Sequence, residues 1–294
     1  MRWLRFGLLS FATLLAALLL ALVLFWPALV PRLTFMAREL PPEHRSPTAW
    51  RYVGDEVHFR SSDDVALHGW FLHRSTPEGE PCGTVLFLPG NAGNVTWQAG
   101  FTPHLTRYGL DVLVFDYRGY GASEGTPSEE GLHRDALGAY SYLREARQLP
   151  SERILLVGHS LGTAVAVRLA SQADVAGLVL AAPFTSFPGA LKARLPWFPV
   201  GLLPWKTERF DALASIQRLS VPTLMAAARE DRLIPMADAR ALFDAAPEPK
   251  VWVAVSGGHN DIFRGEELHR VLPVFLQNTL GCAKPVPEAR IPSL

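Results

Sequence analysis

Gly158-His159-Ser160-Leu161-Gly162 is the stretch whose residue types and spacing best suit nucleophilic chemistry. A serine with a glycine two residues away on each side fits a turn too tight for side chains at the flanking positions. The five-residue pattern alone also arises by chance, so its surroundings decide. Before it runs Arg153-Ile154-Leu155-Leu156-Val157, which reads as a buried parallel strand, and after it an Ala-rich apolar run that reads as a helix. G-x-S-x-G between a strand and a helix is a nucleophile elbow, which presents the hydroxyl of Ser160 above the sheet.

Such a serine needs a base and an acid to orient that base, following in the order Ser, Asp, His. Val221–Ala228 reads as a strand, and the polar loop after it carries Asp231, with Glu230 as the neighbouring alternative. Lys250–Val255 reads as a further strand, running into Ser256-Gly257-Gly258-His259. His259 is therefore the expected base; the other eight histidines lack this strand-end setting and read as surface or packing residues. Open α/β sheets bind ligands beyond the carboxyl ends of their strands, where all three residues fall. The chemistry is acyl transfer: His259 takes the proton as Ser160 attacks a carbonyl, and Asp231 holds the imidazole. The oxyanion needs two backbone donors, expected from Leu161 after the nucleophile and from Asn91 in the loop Pro89–Asn94. That loop follows the strand Thr84–Leu88.

These segments resemble the α/β-hydrolase superfamily. The matching motifs are PGNAGN at 89–94, DYRGYGASEG at 116–125, GHSLG at 158–162, EDRLIP at 230–235 and GGHND at 257–261. More narrowly they are similar to its membrane-anchored serine hydrolases with a small cap, among them several protein depalmitoylases. The resemblance spans about residues 50–280 and implies the fold and the triad, not the substrate. Pro89 departs from the His usual before the glycine, which bears on the pose of Asn91. Asp116, Tyr117 and Arg118 follow a strong strand and read as a structural network at its end.

The elements that must position these residues alternate along the chain. Trp50–Arg60 and Val65–Leu72 read as an antiparallel pair opening the sheet. Asn94–Tyr108, Ser128–Arg147, Leu161–Gln172, Met236–Asp244 and Gly265–Gln277 read as crossover helices. This predicts a mostly parallel sheet with helices on both faces. Residues 185–219 are unusually aromatic and read as a small cap over Ser160, with Trp197, Phe198 and Trp205 lining an acyl pocket. The rival reading has those aromatics packing on the sheet.

Residues 6–30 carry no charge and include ten Leu. As a helix they would extend about 37 Å, enough to cross a bilayer core of roughly 30 Å. A signal peptide would have an apolar region of roughly 7–15 residues and then a small-x-small site. The longer span and the lack of such a site favour an uncleaved anchor. Arg2, Arg5 and the terminal amine precede it and Arg32 and Arg38 follow it, a modest bias that favours the catalytic domain on the non-cytoplasmic side. The domains expected are thus 1–49, anchor and linker, and 50–294, catalytic. Pro41-Pro42 and Ser46-Pro47 read as a stiff connector.

The 28 basic and 28 acidic residues balance, and no basic stripe points to nucleic acid. Cys82 and Cys282, the only cysteines, suggest neither a metal site nor a redox pair, and whether they bond to each other stays open. No metal or cofactor is implied. The reading is a membrane-anchored serine hydrolase cleaving ester or thioester bonds of a small-molecule or lipid-like acyl substrate. An amidase or peptidase using the same triad, or a non-catalytic membrane-bound binding module, are the alternatives.

Overall fold

Short, wholly apolar runs form strands here because only a sheet covered on both faces buries every side chain of such a run. The strands are β1 (Gly54–Arg60), β2 (Ala66–Leu72), β3 (Gly83–Leu88), β4 (Leu110–Phe115), β5 (Ile154–His159), β6 (Gly177–Ala181), β7 (Thr223–Ala228) and β8 (Lys250–Val255). They form an eight-stranded sheet in the order β8-β7-β6-β5-β3-β4-β2-β1. β2 is antiparallel to both β1 and β4, and the remaining neighbours are parallel. The computed structural model describes residues 13–282, apart from 15, 16, 19, 22, 27, 28, 33, 76–80, 198, 199 and 203–207.

Among the described residues beyond Arg51 the α-helices are α1 (Val95–Gln98), α2 (Pro103–Thr106), α3 (Glu129–Ser141), α4 (Leu161–Ala170), α5 (Phe187–Arg194), α6 (Ala212–Ile216), α7 (Met236–Ala245) and α8 (Glu266–Leu280). Side chains along a strand alternate between faces, so each strand feeds two cores. Leu86, Leu88, Leu113 and Leu156 pack with Leu132 of α3, Val167 of α4 and Leu242 of α7. Val85, Phe87, Val112 and Val157 pack instead with Val95, Leu105 and the Leu268, Leu272 and Phe275 face of α8.

The expected helix over Asn94–Tyr108 is not continuous. It breaks into α1, a 3-10 turn (Ala99–Phe101) and α2. The apolar spacing is helical, but Gly100 weakens the middle and the Pro103 ring cannot continue the preceding turn. The opening strand also starts later than expected, at Gly54, because Pro47–Trp50 forms a 3-10 turn.

The described residues between 13 and 34 are helical, with Leu14, Leu18, Leu20, Leu24 and Phe25 exposed and Trp26 and Val30 buried. No helix of the described residues is long and apolar enough to cross a membrane. The anchor expected over 6–30 lies in part outside them. Residues 34–50 do not stand off as a connector. Leu40 is buried, Met36–Ala37 pairs in parallel with Ala92–Gly93, and the Trp70 indole donates to the Arg45 carbonyl. Cys82, just before β3, is disulfide-bonded to Cys282, just after α8, with Cα atoms 5.2 Å apart.

Candidate active site

The strand order reverses beside β3 and β5, and this switch point places two loops side by side. Leu88 of β3 pairs with Gly158 of β5, so the loop beginning at Pro89 meets the turn carrying Ser160. Ser160 has φ 52° and ψ −120°, a conformation that L-residues avoid and that costs on the order of 1–3 kcal/mol. The turn is held by the Ser160 N–H donating to the Ala181 carbonyl at 2.8 Å and by the Thr163 hydroxyl donating to the Ser160 carbonyl at 2.6 Å. The flanking glycines are steric requirements. A Cβ at Gly158 would lie 2.6 Å from the Gly162 carbonyl oxygen, and one at Gly162 would lie 2.0 Å from that of Leu88.

A second adjacency brings acid and base together. Ala228, ending β7, pairs with Val255, ending β8, so the loops that follow run side by side. His259 Nδ1 lies 2.7 Å from Asp231 Oδ2. Asp231 Oδ1 accepts from the backbone N–H of Leu233 at 2.7 Å and of Ile234 at 2.9 Å. Burial raises the Asp231 carboxyl, but the His259 ring and these two donors outweigh it and hold the group below its usual range. Asp231 thus stays ionised and fixes the His259 ring by its Nδ1 side. Glu230 has a different task, since its carboxylate accepts from the Gly257 N–H and its own N–H donates to the Gly257 carbonyl.

Ser160, His259, Gly90 and Asn91 line one cavity of about 270 Å³. Met36, Trp97 and Leu233, each more than half exposed, form an apolar rim. Among the described residues the backbone N–H groups of Leu161 and Asn91 donate to no other group, two unspent donors flanking Ser160. The Asn91 side chain does not serve as a third, because its amide donates to the Thr34 carbonyl at 2.9 Å.

Trp197 is 78% exposed and does not line this cavity. Phe198 and Trp205 lie outside the described residues. Of the other aromatics in the 185–219 segment, Phe187 and Phe210 pack against the core, as the rival reading had it. The apolar wall comes instead from Met36, Trp97, Phe101 and Leu233, which the sequence did not single out.

His159 needs correction too. It ends β5, lines the cavity, and packs 4.9 Å from the Phe101 ring and 5.3 Å from that of His259. Burial, reinforced by the neighbouring His259, pushes its pKa down to about 3, so it is a neutral wall residue at neutral pH. Its place inside the serine motif was the signal that it sits at the site.

The network expected at Asp116–Arg118 is present. Asp116 Oδ1 accepts from the Val95 N–H at 2.6 Å, bracing the chain after the 89–94 loop, and Arg118 bridges buried Asp135 to Asp63 at the surface. Among the described residues no cluster of His, Cys, Asp and Glu is disposed to hold a metal ion.

Comparison with known proteins agrees with this fold. Residues 83–212 match the family described as the alpha/beta hydrolase fold. An uncharacterized protein of Mycobacterium tuberculosis is 38% identical over 210 residues, covering 71% of this chain and 73% of its own. The alpha/beta hydrolase domain-containing protein WAV2 of Arabidopsis thaliana is 33% identical, covering 70% of each chain. A solved structure of a Pyrococcus furiosus esterase superposes with a TM-score of 0.67 at 21% identity, covering 84% of this chain and all of that one, a likeness of fold. The chain belongs to the α/β-hydrolase superfamily.

Proposed function

We propose that this protein is a membrane-tethered serine hydrolase that cleaves carboxylic ester or thioester bonds of acyl substrates through an acyl-enzyme. The observation that carries the reading is the shared cavity: strained Ser160 opens into it beside His259, whose Nδ1 is bound to buried Asp231.

With Nδ1 committed to Asp231, Nε2 of His259 is the nitrogen left to take the Ser160 proton. Ser160 Oγ attacks the acyl carbon, and the tetrahedral oxyanion draws hydrogen bonds from the N–H groups of Leu161 and Asn91. Collapse expels the alcohol or thiol, which leaves with the proton from His259. Water, deprotonated by His259, then attacks acyl-Ser160, and the carboxylic acid departs as Ser160 regains its proton. Among the described residues the Ser160 hydroxyl makes no hydrogen bond, and the cycle requires its contact with His259 in the substrate complex.

The apolar rim of Met36, Trp97 and Leu233 suits an acyl chain better than a polar substrate. The uncharged stretch 6–30 and the exposed leucines of the amino-terminal helix support membrane tethering. The Cys82–Cys282 disulfide supports placing the catalytic domain on the oxidising, non-cytoplasmic side. The test is hydrolysis of nitrophenyl esters of increasing acyl length by detergent-solubilised protein, with Ser160→Ala as the blank. Rates that rise with chain length and vanish in the variant are expected. Turnover confined to acetate would remove the acyl-chain assignment, and turnover surviving in Ser160→Ala would remove the mechanism.

A further inference from the structure

The loop that supplies the Asn91 N–H is held by a part of the chain that lies outside the resembling segment. Residues 34–40 run across it as a strap. The Asn91 amide side chain donates to the Thr34 carbonyl at 2.9 Å. The Asn91 carbonyl accepts from the Met36 N–H at 2.9 Å and from the Tyr120 hydroxyl at 2.9 Å. Two residues on, the Arg38 N–H donates to the Gly93 carbonyl at 3.1 Å, and the Asn94 side chain donates to the Glu39 carbonyl at 3.1 Å. The strap is itself clamped on its far side. The Gly121 N–H donates to the Arg38 carbonyl at 2.9 Å, and the Leu40 N–H donates to the Gly121 carbonyl at 3.0 Å.

We infer that the strap at 34–40, acting through Asn91 and Tyr120, is a positioning device for the oxyanion loop and makes the membrane-proximal chain part of the active site. The inference rests on the serine-hydrolase reading above. The Asn91 side-chain amide and backbone carbonyl are both committed to outside partners, while among the described residues its backbone N–H donates to none. A donor that must meet a developing oxyanion within a few tenths of an ångström needs such fixing, since preorganisation rather than mere presence lowers the barrier. The strap also enters the cavity directly, because Met36 lines it. Its Phe35 packs edge-on against Phe210 at the base of the 185–219 segment, 6.2 Å between ring centres.

Asn91→Ala deletes the hold on Thr34 but keeps the backbone N–H, and Tyr120→Phe deletes one hydroxyl. Both variants and wild type, full-length in detergent, would be assayed on nitrophenyl butyrate, with circular dichroism melting as the measure of folding. Complete loss of an oxyanion donor costs roughly 10²–10³ in rate. Loosening that donor is expected to lower kcat roughly tenfold in each variant, with KM within about twofold of wild type. A purely structural strap would lower the melting temperature and leave kcat per folded molecule unchanged. Wild-type kcat in folded Tyr120→Phe overturns the inference, even if Asn91→Ala fails to fold. No turnover by folded wild type would instead overturn the hydrolase reading and the inference with it.

Discussion

Acid should weaken this fold through His159 in a way that one substitution can isolate. The ring is 4% exposed, among Phe101, Phe263 and His259, and its pKa is pushed from 6.5 down to about 3. A histidine with a lowered folded pKa is neutral when folded, while the unfolded chain takes up a proton below pH 6.5. Stability from this residue is therefore intact above 6.5 and falls as pH drops from there towards 3. Each pH unit in that window costs about 1.4 kcal/mol, so the loss between pH 7 and pH 5 is about 2 kcal/mol. Urea unfolding followed by tryptophan fluorescence at the two pH values, on wild type and His159→Gln, measures it. Other titrating groups are common to both proteins and cancel in the difference. The variant should lose about 2 kcal/mol less than wild type on acidification. An equal loss in both would show that the ring is already solvated or charged and would refute the burial argument.

Asp231→Asn should lower kcat by about 10⁴ by removing the charge that sets the His259 tautomer, whereas Glu230→Gln, which only loosens a loop-to-loop contact, should lose less than about tenfold; steady-state ester hydrolysis distinguishes them. Gly162→Ala should leave little folded protein, because the new Cβ would lie 2.0 Å from the Leu88 carbonyl oxygen; soluble yield and a melting curve report it. The disulfide closes a span of 200 residues. Losing its constraint on the unfolded chain should cost up to about 5 kcal/mol, read as a melting temperature lower by about 10 °C or more in reductant or in Cys82→Ser/Cys282→Ser.

The strands and the three loops that carry Ser160, Asp231 and His259 were legible because they depend on local signals: short apolar runs that end in polar or glycine-rich turns. What was missed depends on the chain meeting itself at a distance. Nothing near residues 34–40 announces that Met36 will pair with Ala92, a contact made across more than fifty residues. The Cys82–Cys282 bond forms because β3 begins where α8 ends, with Gly83 against Leu280, which spacing cannot reveal. The Glu230-or-Asp231 choice turned on a one-residue register: in the fold the Glu230 carboxylate takes the Gly257 N–H and Asp231 reaches the His259 ring. Aromatic density in 185–219 does not separate packing from binding: Phe210 lies in the core, Trp197 is exposed, and Phe198 and Trp205 lie outside the described residues.

The most direct test of the central claim is to treat the folded, full-length protein with a fluorophosphonate, digest it and locate the adduct by mass spectrometry. Phosphonylation of Ser160 is expected, abolished in Ser160→Ala and strongly slowed in His259→Ala. An unlabelled wild type, or an adduct on another residue, would contradict it.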